Sequence, residues 1–129
     1  MLFLSSPRLI AQDAGGELQV DAILTIIDGK MDDFKAAAKA CIKAVKERDT
    51  GTLQYDWFLD EEKGICVVRE TYASSSALMV HMGNLAEELP SLFATCTMKV
   101  KVFGTPSEEL MAATAGMDIE VYPLFGGLD

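Results

Sequence analysis

Hydrophobic residues in this chain change period several times, and the order of those changes is its strongest constraint on fold. Leu18, Val20, Ala22, Leu24 and Ile26 alternate with other residues after the Gly15-Gly16 break, which is the two-residue period of a strand. From Met31 to Arg48 the spacing becomes three to four, with Phe34, Ala38, Cys41 and Val45 on one side. Asp32 and Asp33 fall in the first turn, and Lys43, Lys46 and Arg48 in the last two, as the helix dipole favours. Alternation returns in "TLQYDWFL", with Leu53, Tyr55, Trp57 and Leu59 on one face. It recurs after "DEEKG" in "ICVVRETY", with Cys66, Val68, Glu70 and Tyr72 together, so the two runs read as a hairpin.

A second helix is expected from the capping hydroxyls of Ser74 to Ser76, carrying Ala77, Leu78, His81, Met82 and Leu85. Asn84 and Glu87 stand three apart, as in a capping box that restarts a short helix, and Pro90 is expected to end or kink it. "TCTMKVKVFG" is the fourth strand. In "TPSEEL", Thr105 reads as a helix cap, Pro106 as the first helical residue and Glu108 as its box partner, with Gly116 as terminator. The tail "MDIEVYPLFGGLD" is partly apolar, suited to an edge strand or to packing on a partner.

The order β-α-β-β-α-β predicts an α+β, ferredoxin-like domain, an antiparallel sheet with helices on one face. Residues 17–104 form this domain, 1–16 an N-terminal arm, and 105–129 a C-terminal helix and extension of the same domain. The bare face, with Ile23, Ile27, Phe58, Ile65, Val67 and Phe103, predicts a partner, most simply a second copy in a two-fold homodimer or a higher homo-oligomer.

Composition narrows the function. A length of 129 residues suits one domain, and 50% hydrophobic residues suffice for a core. A net charge of −9 disfavours nucleic acid and anionic membranes, and no run approaches a transmembrane span. Cys41, Cys66 and Cys96 sit within apolar periodic segments without a CxxC spacing, so they read as small buried hydrophobes in a reducing compartment. The short, Pro7-interrupted apolar start lacks a signal-peptide pattern, which points to the cytoplasm. One histidine and no carboxylate cluster disfavour a transition-metal site, and no Gly-rich strand-to-helix loop suggests a nucleotide.

Within Arg69 to Asn84 lie most of the candidate site residues, with Tyr55 and Trp57 on the preceding strand. His81, on the apolar stripe of its helix, should point inward, where a pKa near 6.5 suits proton abstraction; the plainer role is a packed imidazole. Glu70, on a buried strand face, needs a partner, and His81 or Arg69 would serve. It would orient the imidazole, or simply close a strand-end ion pair. Tyr72, Tyr55 and Trp57 suit stacking on an aromatic ligand or bonding its oxygens, with plain core the alternative, favoured for Trp57. Asn84 is a helix cap or a ligand-binding amide.

The motifs "DGKMDDFKAAAK", "GTLQYDWFLDEE" and "VVRETYASSSALMVHMGN" resemble the antibiotic biosynthesis monooxygenase family of dimeric α/β-barrel proteins, over roughly Glu17 to Gly104. The matching positions are Gly51, Tyr55, Glu70, Tyr72 and His81. The resemblance implies a dimeric barrel and cofactor-independent oxidation of a quinol or phenol-type aromatic by O2. His81, Glu70 and Tyr72 would then be catalytic, and Tyr55, Trp57 and Asn84 substrate-binding, with no cofactor and no metal. Haem-degrading relatives carry an Asn on the first strand and a Trp in the second helix; Leu18 to Ile27 has no Asn and Ser74 to Asn84 no Trp. The alternative function is a non-catalytic dimeric binder of a small apolar ligand.

Overall fold

A computed structural model describes residues 16–129. The expected N-terminal arm lies, apart from Gly16, outside the described residues. Among the described residues the elements are β1 (Leu18–Ile26), α1 (Met31–Arg48), β2 (Thr52–Asp60), β3 (Ile65–Tyr72), α2 (Ser75–Asn84), α3 (Leu89–Phe93), β4 (Cys96–Phe103), α4 (Glu108–Ala113) and β5 (Ile119–Tyr122). They form one open sheet in the order β2-β3-β1-β4-β5, not a closed barrel.

β1 lies at the centre, antiparallel to β3 and β4, and β2 is antiparallel to β3. This is the ferredoxin-like core. β5 pairs parallel with β4, so the sheet is mixed and not wholly antiparallel as expected. The cause is the segment containing α4, which carries the chain back to the level of Val100, midway along β4, before β5 begins.

The alternation in β1 is that of a sheet covered on one side: Leu18, Val20, Ala22 and Leu24 are buried and Gln19 and Thr25 exposed. α1 presses Phe34, Ala37, Ala38, Cys41, Ala44 and Val45 onto Ala22, Leu24, Cys66 and Val68. A second cluster joins Leu18, Val20, Tyr72, Val100, Val102 and Leu110, with Met79, Met82 and Met98 packed against it. The three cysteines are free and buried. On the opposite face Phe58, Val67 and Ile23 form one cross-strand row, and Phe58 is 59% exposed. Arg69 pairs there with Asp21 at 3.0 Å.

Several local expectations are corrected. Ser107, not Thr105, caps α4: its hydroxyl accepts from the Leu110 N–H at 3.1 Å, and Pro106 precedes the helix. α4 ends at Ala113, before Gly116, where the Thr114 hydroxyl donates to the Leu110 carbonyl. Pro90 lies in the first turn of α3, where its missing N–H costs nothing, and Asn84 ends α2 without capping a new helix.

Candidate active site

α1 ends at Asp49, whose backbone is extended and whose N–H still donates to the Val45 carbonyl at 3.0 Å. A carboxylate at a helix C-terminus faces the negative end of the dipole and needs compensation. Three donors supply it: Thr52 Oγ1 at 2.5 Å, Asn84 Nδ2 at 2.8 Å and His81 Nδ1 at 2.7 Å. Burial alone would push the Asp49 pKa up, yet these hydrogen bonds and the nearby imidazole hold it below the usual range. The carboxylate is therefore ionised near neutrality.

α2 begins with Ser74, whose hydroxyl accepts from the Ala77 N–H at 3.1 Å, so the predicted cap holds. That start fixes the inward face of the helix and directs His81 at the sheet. Gly51 lets the helix come close, because a Cβ there would lie 2.6 Å from Ala77 Cβ. At the other end of α2, Arg48 Nη1 donates to the Asn84 carbonyl at 2.8 Å and to Glu88 at 3.0 Å, clamping α1 to the end of α2.

His81 has 7% of its side chain exposed and stands between two tyrosine rings, Tyr55 and Tyr72, each with its centroid at 5.1 Å. Burial lowers its pKa, against an upward pull from Asp49. The neutral tautomer that fits an ionised Asp49 carries its proton on Nδ1. Nε2 then keeps a lone pair on the side of Glu70, 3.9 Å from Glu70 Oε1 and too far for a hydrogen bond.

Glu70 accepts a hydrogen bond from the Tyr72 hydroxyl two residues on, across the same strand face. Burial, with Asp21 and Asp49 adding to it against that bond, pushes its pKa up to about 7. Tyr55 and Tyr72 are driven higher still by burial, so both stay phenols. Trp57 packs edge-on against Tyr55 at 5.7 Å and tilted against Phe34 at 6.1 Å. Its buried indole N–H has no hydrogen-bond partner among the described residues.

These groups close one end of a cavity of about 190 Å³. Tyr55, Trp57, Glu70 and His81 line it; the remaining wall is nearly all apolar, including Val20, Leu78, Val100 and Val102. The space exceeds the roughly 150 Å³ apolar cavity that admits benzene. Tyr72 and Asn84 are absent from the wall. Tyr72 instead stands behind Glu70, and the Asn84 amide is committed to Asp49 and the Arg48 carbonyl. Among the described residues no three His, Cys, Asp or Glu side chains converge as metal ligands, and no helix is long and apolar enough to cross a membrane.

Asp49 was not foreseen. The sequence offers Glu70 either for the orienting role or for a strand-end ion pair, whereas the carboxylate bonded to the imidazole is Asp49. Its signal was an acidic residue directly after the basic end of α1, where the dipole disfavours one.

The family model for antibiotic biosynthesis monooxygenases matches residues 19–86, which contain Asp49, Tyr55, Trp57, Glu70, Tyr72, His81 and Asn84. No curated protein matches the chain. Among solved structures, MupZ from Pseudomonas fluorescens superposes with a TM-score of 0.78 at 20% identity, over 88% of this chain and 94% of its own. Rv0793 from Mycobacterium tuberculosis gives 0.61 at 23% identity, over 71% and 97%. SnoaB, a cofactor-independent oxygenase from Streptomyces nogalater, gives 0.59 at 14% identity, over 71% and 95%. At these identities the likeness is one of fold.

Proposed function

Because the chain belongs to the antibiotic biosynthesis monooxygenase family, we propose that it oxidises a small quinol or phenol-type aromatic with O2, without a cofactor, and that His81 is the general base. The observation carrying this reading is the 2.7 Å contact between Asp49 and His81 Nδ1, which leaves Nε2 beside an apolar cavity.

In this mechanism the ring lies among the aliphatic wall residues with its hydroxyl at Nε2. His81 takes the phenolic proton, and the ionised Asp49 stabilises the imidazolium that forms. The resulting phenolate is electron-rich enough to reduce O2 by one electron. Recombination gives a hydroperoxide on carbon, which collapses to a carbonyl and releases water. For a quinol becoming a hydroxyquinone, one oxygen atom enters the ring and the other leaves as water, the substrate supplying all four electrons. Glu70, bonded to Tyr72 and protonated below about pH 7, returns a proton to the departing oxygen in this scheme. The apolar wall keeps water from the radical pair.

Tyr55 and Trp57 bind the ring, and the Trp57 indole N–H can donate to a substrate oxygen. Asn84 acts through Asp49 as a positioning residue. A second copy would cover the Phe58, Val67 and Ile23 row, giving a homodimer.

Oxygen uptake with a panel of quinols and phenols tests the reading. Turnover above the uncatalysed rate, lost in His81→Ala, is expected. Binding without oxygen consumption would leave a non-catalytic binder.

A further inference from the structure

The floor of the cavity crosses the whole sheet. One rung, set by the strand register, reads Trp57, Val68, Ala22, Val100, Ile119, and all five residues line the cavity. The next rung reads Tyr55, Glu70, Val20, Val102, and it too lines the cavity. Polarity is therefore graded. The groups that bind or move protons lie at β2 and β3, beneath His81, and the lining over β1, β4 and β5 is apolar but for Thr114.

The segment after β4 closes the hydrocarbon end. Pro106, Leu110, Met111, Thr114, Met117 and Ile119 all line the cavity, and all lie beyond the residues matched by the family model. Thr114 is the polar exception, and its hydroxyl is already donated to the Leu110 carbonyl at 2.9 Å. The segment is fastened: the Ser107 N–H donates to Ser75 Oγ at 2.9 Å, tying α4 to the start of α2, and the Val100 N–H donates to the Asp118 carbonyl at 2.9 Å. Leu110 is 2% exposed. The lining residues most open to solvent are Phe93, Met111 and Met117, so the mouth lies between α3 and α4, rimmed by two adaptable thioethers.

We propose that residues 106–119 form a specificity wall for an apolar tail, and that the ligand is an amphiphile with a hydroxylated ring at His81 and a hydrocarbon substituent reaching under α4. The head position rests on the function proposed above. From β3 to β5 is three inter-strand spacings, about 14 Å, so the ring alone does not reach Ile119.

The test is calorimetric titration with 4-alkylphenols from methyl to octyl. Affinity should rise about three- to fourfold per added carbon until the tail meets α4, then level off. In Leu110→Phe the levelling should come one or two carbons earlier, and the ratio of octyl to methyl affinity should fall by about three- to fifteenfold. Met111→Phe, at a partly exposed rim position, asks the same question if the buried substitution fails to fold. Affinity independent of chain length, or an unchanged octyl-to-methyl ratio in both variants, overturns the proposal. Chain-length-dependent binding without oxygen uptake would sink the oxygenase reading and leave this one intact. Oxygen uptake indifferent to chain length would do the reverse.

Discussion

Asp49 and His81 meet at 2.7 Å although 32 residues separate them, one capping the end of α1 and the other facing inward from α2. The contact fixes which ring nitrogen carries the proton, and so which one is free to accept another. Replacing Asp49 with Asn keeps the shape and removes the charge. We expect kcat to fall by roughly 10²-fold or more with little change in KM, and His81→Ala to cost roughly 10²- to 10⁴-fold. The double variant should be no slower than His81→Ala alone, and steady-state oxygen uptake measures all three.

The acid limb of the kcat/KM profile gives a second readout. His81 must be neutral to act as a base, and burial lowers its pKa. Activity should therefore persist as pH falls through 6.5 and fail only below it. Asp49 pulls that pKa upward, so Asp49→Asn should shift the limb to still lower pH. A purely structural Asp49 would leave the limb in place.

Glu70 makes the opposite contribution to stability. Its pKa rises from about 4.5 to about 7 on folding, so between those values the folded state holds more protons than the unfolded one. Its contribution is fully present below about pH 4.5 and is lost as pH rises through about 7. At pH 8 the loss amounts to about 3 kcal/mol. Glu70→Gln should thus match the parent in urea unfolding at pH 4 and exceed it by up to that amount at pH 8. Equal stability at pH 8 would show that the carboxylate is not buried.

Gly51 is a packing requirement of α2. A Cβ 2.6 Å from Ala77 Cβ forces a shift, so Gly51→Ala should cost about 1–3 kcal/mol. Adding Ala77→Gly should recover most of the contact penalty in a double-mutant cycle, since the two groups touch. Additive losses would mean that Gly51 serves something other than this approach.

The cysteines should be inert. Burial raises the thiol pKa of Cys41 and Cys66 to about 11 and that of Cys96 above its ordinary value. Labelling with a disulfide reagent at pH 8 should wait for unfolding at all three positions. Rapid modification of any one would revise the packing under α1.

The parts legible in the sequence were those written in local periodicity. Phe34, Ala38, Cys41 and Val45 are buried as their spacing required, and Ser74 caps α2. The pairing of Tyr72 with Glu70 could be read in principle, because residues two apart share a strand face. The pairing of Asp49 with His81 could not, because "RDTG" looks locally like a helix stop, and the partner arrives only when α2 folds back over α1. The cap of α4 was misplaced for a related reason. "TPSEEL" offers two hydroxyls, and the contact of the Ser107 N–H with Ser75, 32 residues away, anchors the second. In both cases a long-range contact settled a local ambiguity.

The parallel pairing of β5 has one more consequence. An open sheet keeps two rims of unsatisfied amides, and without β5 the rim at one side would be the eight residues of β4. β5 replaces it with a four-residue strand that runs straight into Pro123, which has no amide hydrogen to offer. So short a template recruits no further strand, and lateral growth of the sheet is discouraged at that boundary.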